Sequence, residues 1–422
     1  MFEMIKQIFK PKNKDIQKRI LFTLACLFVF VLGKAIVVPG VDKYSLGITQ
    51  LGLLELVNVM GGGALEQFSI FALGVMPYIT ASIIIQILAM DIIPYLSELK
   101  KQGGTGRNQL NKITRITGIA LAFVQGYVYS FAYLGKGAGI LNVDYLQFAL
   151  VLTAGTCLLL WIGDQISAKG IGNGVSLIIM AGIISSMPTM FQTAFTQLTS
   201  NNTIMGTVFF ILFVIVYIAI ILGVVYVEGA ERRINVQYAN KSNSSYGGRQ
   251  NYMPFKLNSA GVMPVIFAST LLSIPSFIAN VAKKEAFTKF VETYLSTTTL
   301  VGFVIYIVLI FVFAYFYTFM QMKPSEMSEN LAKNGGFIPG VKPGDDTTEY
   351  ISKVLGRITV VGALFLSILA GLPIIFGLIS KLPSSVTLGG TSLLIVVGVA
   401  LETFKQLESQ LQSRSYRRRW KI

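Results

Sequence analysis

The chain has 422 residues, 53% of them hydrophobic and only 13% charged, with a formal net charge of +15. A soluble protein carries about 25% charged residues, so this composition excludes an ordinary globular domain and indicates a polytopic membrane protein. There is no histidine, and the two cysteines, Cys26 and Cys157, lie inside apolar runs, which leaves no disulfide framework and no Cys/His metal site.

A membrane-crossing helix needs about 20 apolar residues. In chain order, such runs fall at 20–38, 74–93, 113–134, 147–166, 171–190, 203–227, 258–281, 300–322, 354–378 and 390–407. The first is longer than the apolar core of a signal peptide, and no small-residue cleavage site follows it, so it reads as a retained span.

The second run has an unusual approach. From Gly61 to Leu88 the sequence is GGGALEQFSIFALGVMPYITASIIIQIL. A short helical piece is expected over 64–73, Gly74 interrupts it, and Pro77 stands in the first turn of a longer apolar helix. Unpaired backbone groups in lipid cost several kcal/mol each, so broken backbone at depth must face protein or a water-filled cavity. The pattern fits a conduit; a surface loop leading into an ordinary span is the alternative.

The sixth-to-seventh connection carries Arg232, Arg233, Lys241, Arg249 and Lys256. The eighth-to-ninth begins with Pro324, reads as a helix through Lys333, and then turns at Pro339-Gly340 and again at Pro343-Gly344, with Lys342 between the turns.

Most Lys and Arg residues fall in the N-terminal segment, the even-to-odd connections and the tail. Lys34, Lys43, Lys136, Lys283, Lys284, Lys289 and Lys381 lie at the opposite span ends. This alternation requires an even number of spans and places both termini in the cytoplasm. It also explains the positive charge without invoking nucleic acid.

Ten spans divide into 1–190 and 203–422, joined by an uncharged external hinge at 191–202. Cytoplasmic loops at 228–257 and 323–353 and a basic tail belong to the second half. Five spans per half make the halves inverted, an all-α architecture with pseudo-symmetry.

No phosphate-binding G-x-x-x-x-G-K-[ST] motif is present. Asp91, Asp164, Glu228 and Glu402 sit near cytoplasmic span ends. That is poor equipment for a secondary transporter of a small solute, the main alternative. Without histidine or a clear catalytic pair, the chain reads as no enzyme, and no cofactor is expected.

Five blocks in order carry a family resemblance: FALGVMPYITASIIIQIL (71–88), KGIGNGVSLIIMAGI (169–183), NSAGVMPVIFAS (258–269), GGFIPGVKPG (335–344) and GGTSLLIVV (389–397). They resemble the SecY family, the central subunits of the bacterial protein-conducting channel. The resemblance implies an hourglass pore between the two halves. Unfolded preproteins would cross through it, and apolar segments would leave sideways into lipid. It implies a constriction ring of Val75, Ile79, Val175, Ile179, Ile266 and Ile395. Independently, the 75/79 and 175/179 pairs share a helix face, and branched apolar groups can seal a pore by dewetting.

It implies a plug helix built on Gly61, Gly62, Gly63, Ala64, Leu65, Phe68 and Ile70, with Glu66, Gln67 and Ser69 keeping it weakly held. It implies a lateral gate flanked by Thr80, Gln125 and Asn258, whose hydrogen bonds would yield to an entering signal peptide at about 0.5–2 kcal/mol each. The two cytoplasmic loops, with Arg232, Arg233 and Lys342, would dock the SecA motor ATPase or the ribosome. SecE, SecG and the lipid bilayer of the bacterial plasma membrane complete the implied partners.

Four positions depart from the family pattern. Lys342 stands for a usual Arg, Val31 for an Arg in the first span, Asn108 for the second of two Arg, and Asp164 for a Glu. Both a main channel and a specialised accessory paralogue remain open.

Overall fold

The computed structural model describes residues 13–39, 58, 61–65, 67–90, 92–134, 143–199, 204–238, 251–282, 285–295, 299–380 and 389–419. Glu66, Asp91, Lys241, Arg249 and the end of the expected hinge lie outside these. In chain order the elements are α1 (Lys14–Gly33), α2 (Met76–Leu88), α3 (Pro94–Lys101), α4 (Gly104–Leu134), α5 (Val143–Lys169), α6 (Gly174–Thr199), α7 (Ile204–Gly229), β1 (Glu231–Tyr238), β2 (Asn251–Lys256), α8 (Met263–Ala282), α9 (Glu285–Tyr294), α10 (Leu300–Gln321), α11 (Pro324–Lys333), β3 (Gly336–Phe337), α12 (Asp345–Ser380) and α13 (Gly389–Arg419).

Every apolar run of the sequence overlaps a helix, and among the described residues six helices are long and apolar enough to cross a bilayer. The second run is the exception in length. It is helical only over Met76–Leu88, which at 1.5 Å per residue is about 20 Å, short of a hydrocarbon core of about 30 Å. Its start is set by Gly74 at φ +55°. At its end the Ala89 and Met90 amides bond back to Ile85 and Ile87. Ile93 is then held extended, as the residue before a proline tends to be, and Pro94 opens α3. Helices α4, α12 and α13 run beyond their apolar runs, so part of the basic connections and tail is helical.

The chain forms two compact units, Met1–Asn202 with Leu382–Ile422, and Thr203–Lys381. The last helix thus groups with the first unit, not with the second half by chain order, because α13 packs on α6. Within the first unit α4 packs on both α2 and α5, α5 packs on α6, and α1 rests on α5 and α6.

In the second unit α10 packs between α8 and α12, and α11 lies on α12. The basic connections, expected as loops, contain a three-stranded sheet of order β2-β1-β3. In β1, Ile234 and Val236 are buried while Arg233, Asn235 and Gln237 are exposed, the period-two alternation of a half-buried strand. The register sets Ile234 opposite Met253 and Arg232 opposite Phe255, and the end of β1 pairs with Gly336 and Phe337. The buried face joins Phe255, Leu331, Ile338, Ile351 and Leu355, seating the sheet on the start of α12.

Candidate functional site

The helix expected over 64–73 is absent. Among the described residues of this stretch, 61–65 and 67–75, the backbone runs through turns, a bend at Gly63 and a bridge at Ser69, and the reason is both local and distant. Gly62, Gly63, Phe68 and Gly74 all have positive φ, which no right-handed helix tolerates. Across the chain, Ser69 forms an antiparallel bridge with Val37: the Val38 amide donates to Phe68 O and the Ile70 amide to Ile36 O, both at 3.0 Å. The short extended piece after α1 thus replaces the helical bonds.

Nor is the segment loosely held. Leu65, Phe68, Phe71 and Leu73 are buried. Phe71 stacks on Phe30 of α1 at 6.0 Å between centroids, and Phe68 meets Phe148 of α5 edge-on at 6.5 Å. Ser69 is buried too, and its hydroxyl oxygen accepts from the Phe71 amide at 3.2 Å, which gives that buried oxygen a partner. Gly155 of α5 leaves room for the backbone, since a Cβ there would overlap the Ile70 carbonyl; a Cβ at Gly33 of α1 would overlap the Phe71 ring.

At the head of the segment, the Lys34 ammonium donates to Gly62 O at 2.8 Å and to Ser185 Oγ of α6 at 2.7 Å. The Ser185 hydroxyl in turn donates to Gly182 O at 2.8 Å.

The expected ring residues occupy the opening turns of their helices. Val75 is the N-cap of α2, and the Ile79 amide bonds its carbonyl at 3.1 Å, so the pair is one turn apart on one face. Val175 and Ile179 open α6, Ile266 opens α8 and Ile395 opens α13. All except Val175 are buried. Val175 is half-buried and leans on α5: a Cβ at Gly163 would stand 3.4 Å from its Cγ2. Val75, Ile79, Val175, Ile179 and Ile395 belong to the first unit and Ile266 to the second.

Two of the three expected gate residues find partners close by in their own units. Thr80 Oγ1 donates to Met76 O within α2 at 3.1 Å. Buried Asn258 donates from Nδ2 to Glu228 Oε1 at 2.8 Å, joining the entry of α8 to the end of α7. Gln125 is half-buried on α4. The Glu228 partner was not legible from sequence; a lone acid at the end of an apolar run, with a polar residue thirty positions on, gives no register.

On the basic loops, Arg232 and Arg233 are exposed at the start of β1. The Arg233 guanidinium pairs with Glu231 at 2.8 Å and lies 4.6 Å over the Tyr252 ring. Its hydrogen bond to the Glu231 carboxylate raises its pKa above the ordinary arginine value. Lys342 is exposed at the apex formed by Gly340 and Gly344, both at positive φ. Thr347 Oγ1 donates to Lys342 O at 2.7 Å and Ser328 Oγ to Gly344 O at 3.0 Å, so the apex is fixed in shape. Among the described residues no cluster of His, Cys, Asp or Glu could hold a metal.

Comparison with known proteins follows this geometry. Among solved structures the fold is similar to that of a protein-conducting channel, with a TM-score of 0.67 and 18% identity over 93% of this chain and 92% of that one. Canine Sec61 in a ribosome-channel complex is similar at a TM-score of 0.63 and 18% identity, over 93% and 92% of the two chains. The protein translocase subunit SecY of Bacillus subtilis is 46% identical over 99% of both chains, and that of Staphylococcus carnosus 44% over 99% of both. The SecY family model matches residues 69–404. With that match spanning most of its length, and with its apolar runs all helical, the chain belongs to the SecY family.

Proposed function

We propose that the chain is the pore-forming subunit of a Sec translocon in a bacterial membrane, moving unfolded preproteins across and releasing apolar segments sideways into lipid. It is a channel and not an enzyme. One observation carries the reading: a buried, irregular segment runs directly into the helix whose first turn bears Val75 and Ile79. Backbone of that kind at membrane depth needs protein around it or water beside it, and a channel closed by a removable stopper has both.

In this reading Val75, Ile79, Val175, Ile179, Ile266 and Ile395 form the gasket, and residues 61–73 are the plug. The halves 1–190 and 203–422 work as inverted repeats hinged at 191–202, with both termini cytoplasmic. Thr80, Gln125 and Asn258 line the lateral gate. Thr80 and Asn258 each keep a free lone pair on oxygen beyond the bonds above, so a second hydrogen bond remains open to both. The β1–β3 sheet and the Lys342 apex receive SecA or the ribosome, while SecE and SecG complete the complex. Energy must come from such a partner, since no nucleotide motif is present.

Single cysteines at Ile79 and Ile266 test the conduit. Both should crosslink to a cysteine in a stalled secretory chain. Solute uptake with no crosslink at either position would favour the transporter reading instead.

A further inference from the structure

Lys34 is a cation placed where α1 ends, on the side of the chain opposite to most of its basic residues. Its ammonium bonds two groups that belong to different elements: the Gly62 carbonyl, at the head of the segment read here as the plug, and the Ser185 hydroxyl on α6. Ser185 is six residues beyond Ile179, so the same helix carries two proposed ring positions and this contact. Gly62 fits the contact closely. Its φ is +73°, and a Cβ there would lie 2.6 Å from Ser185 Oγ and 2.9 Å from Gly182 O. Any side chain would push the carbonyl away from the cation.

We infer that Lys34 is a positioning residue for the plug: a single ammonium that pins the plug's glycine lead to α1 and α6 and holds the channel shut at rest. The inference rests on reading 61–73 as the plug. A charge-assisted hydrogen bond is stronger than a neutral one. It is also discrete, so the lead is either seated or released. Glycines on both sides allow release without unfolding α1 or α6. Because Ser185 accepts a hydrogen bond from Lys34 and donates its own to Gly182 O, movement of α6 at Ile179 would disturb the pin directly.

Resting ion conductance of the purified translocon complex in planar lipid bilayers tests the pin. Lys34→Met, which removes both bonds of the ammonium, should raise it at least roughly tenfold, since even one charge-assisted bond is worth about that much. Ser185→Ala, which leaves the Gly62 bond, should raise it about threefold. Lys34→Arg should restore most of the seal. The double variant should leak no more than Lys34→Met alone, because Lys34→Met already removes the Lys34–Ser185 bond that Ser185→Ala takes away.

Deletion of 64–69 separates the two ideas. If the deletion opens the pore while Lys34→Met stays at the parental level, the pin is wrong and the plug stands. If the deletion also changes nothing, the plug reading falls and the pin with it. Should Lys34→Met fail to accumulate, parental conductance in Ser185→Ala overturns the pin on its own.

Discussion

The segment 61–75 and the sheet β1–β3 both connect helices, yet they are held by opposite means. The sheet has a regular ladder, six paired positions between β1 and β2, and one apolar face on the start of α12. The segment 61–75 has scattered turn bonds, one bridge to Val37, and side chains fitted into gaps in α1 and α5. A ladder loses order only as a whole. A fitted segment can leave its seat and return while its neighbours keep their own hydrogen bonds. The difference suits a rigid docking platform on one hand and a stopper on the other.

The contrast can be broken most strongly at Phe255, which is fully buried beneath the sheet. Phe255→Ala should cost about 3–5 kcal/mol of local stability. Amide hydrogen exchange would then show lost protection across β1 and β2, with resting conductance unchanged. A leak in this variant would mean that sheet and plug are not independent.

Gly155 probes the other side. Gly155→Ala forces a methyl group onto the Ile70 carbonyl, an overpacking of about 1–3 kcal/mol. The plug should be displaced, seen as a raised resting conductance, while exchange in the sheet stays at parental levels.

The smallest effect is expected at the Glu329–Lys333 pair on α11. Lys333, 2.7 Å away, holds the Glu329 carboxyl below its ordinary value. A group depressed in the folded state stabilises it at pH above its ordinary value, and that contribution is lost as pH falls through the lowered one. Both partners are exposed, so circular dichroism of α11 should barely change on acidification. Glu329→Gln should remove what little change there is.

These positions also mark what the sequence could and could not convey. The apolar runs announced their helices because burial in lipid needs only composition and length. Pro324 and Lys333 bounded α11 correctly, since helix start and stop signals are local. The segment after residue 61 was misread as a helix. Its glycines were visible, but the bridge to Val37 and the left-handed backbone of Phe68 depend on residues thirty positions away. The sheet was missed for a related reason: Ile234 and Val236 give only two points of alternation, and pairing with 251–256 and 336–337 cannot be read from either partner alone. The partners of Thr80 and Asn258 divide the same way: Met76 lies one turn before Thr80, whereas Glu228 is distant.

Phe68 combines a fully buried ring with φ of +46°, a conformation that costs a non-glycine residue about 1–3 kcal/mol. The aromatic payload of the seat is therefore partly cancelled by torsional tension in the same residue. On the proposed plug reading, withdrawal would let Phe68 relax into an ordinary conformation and return that tension as free energy. Seated, the segment would thus be shallower than its packing implies, like a cocked spring whose catch is an aromatic ring.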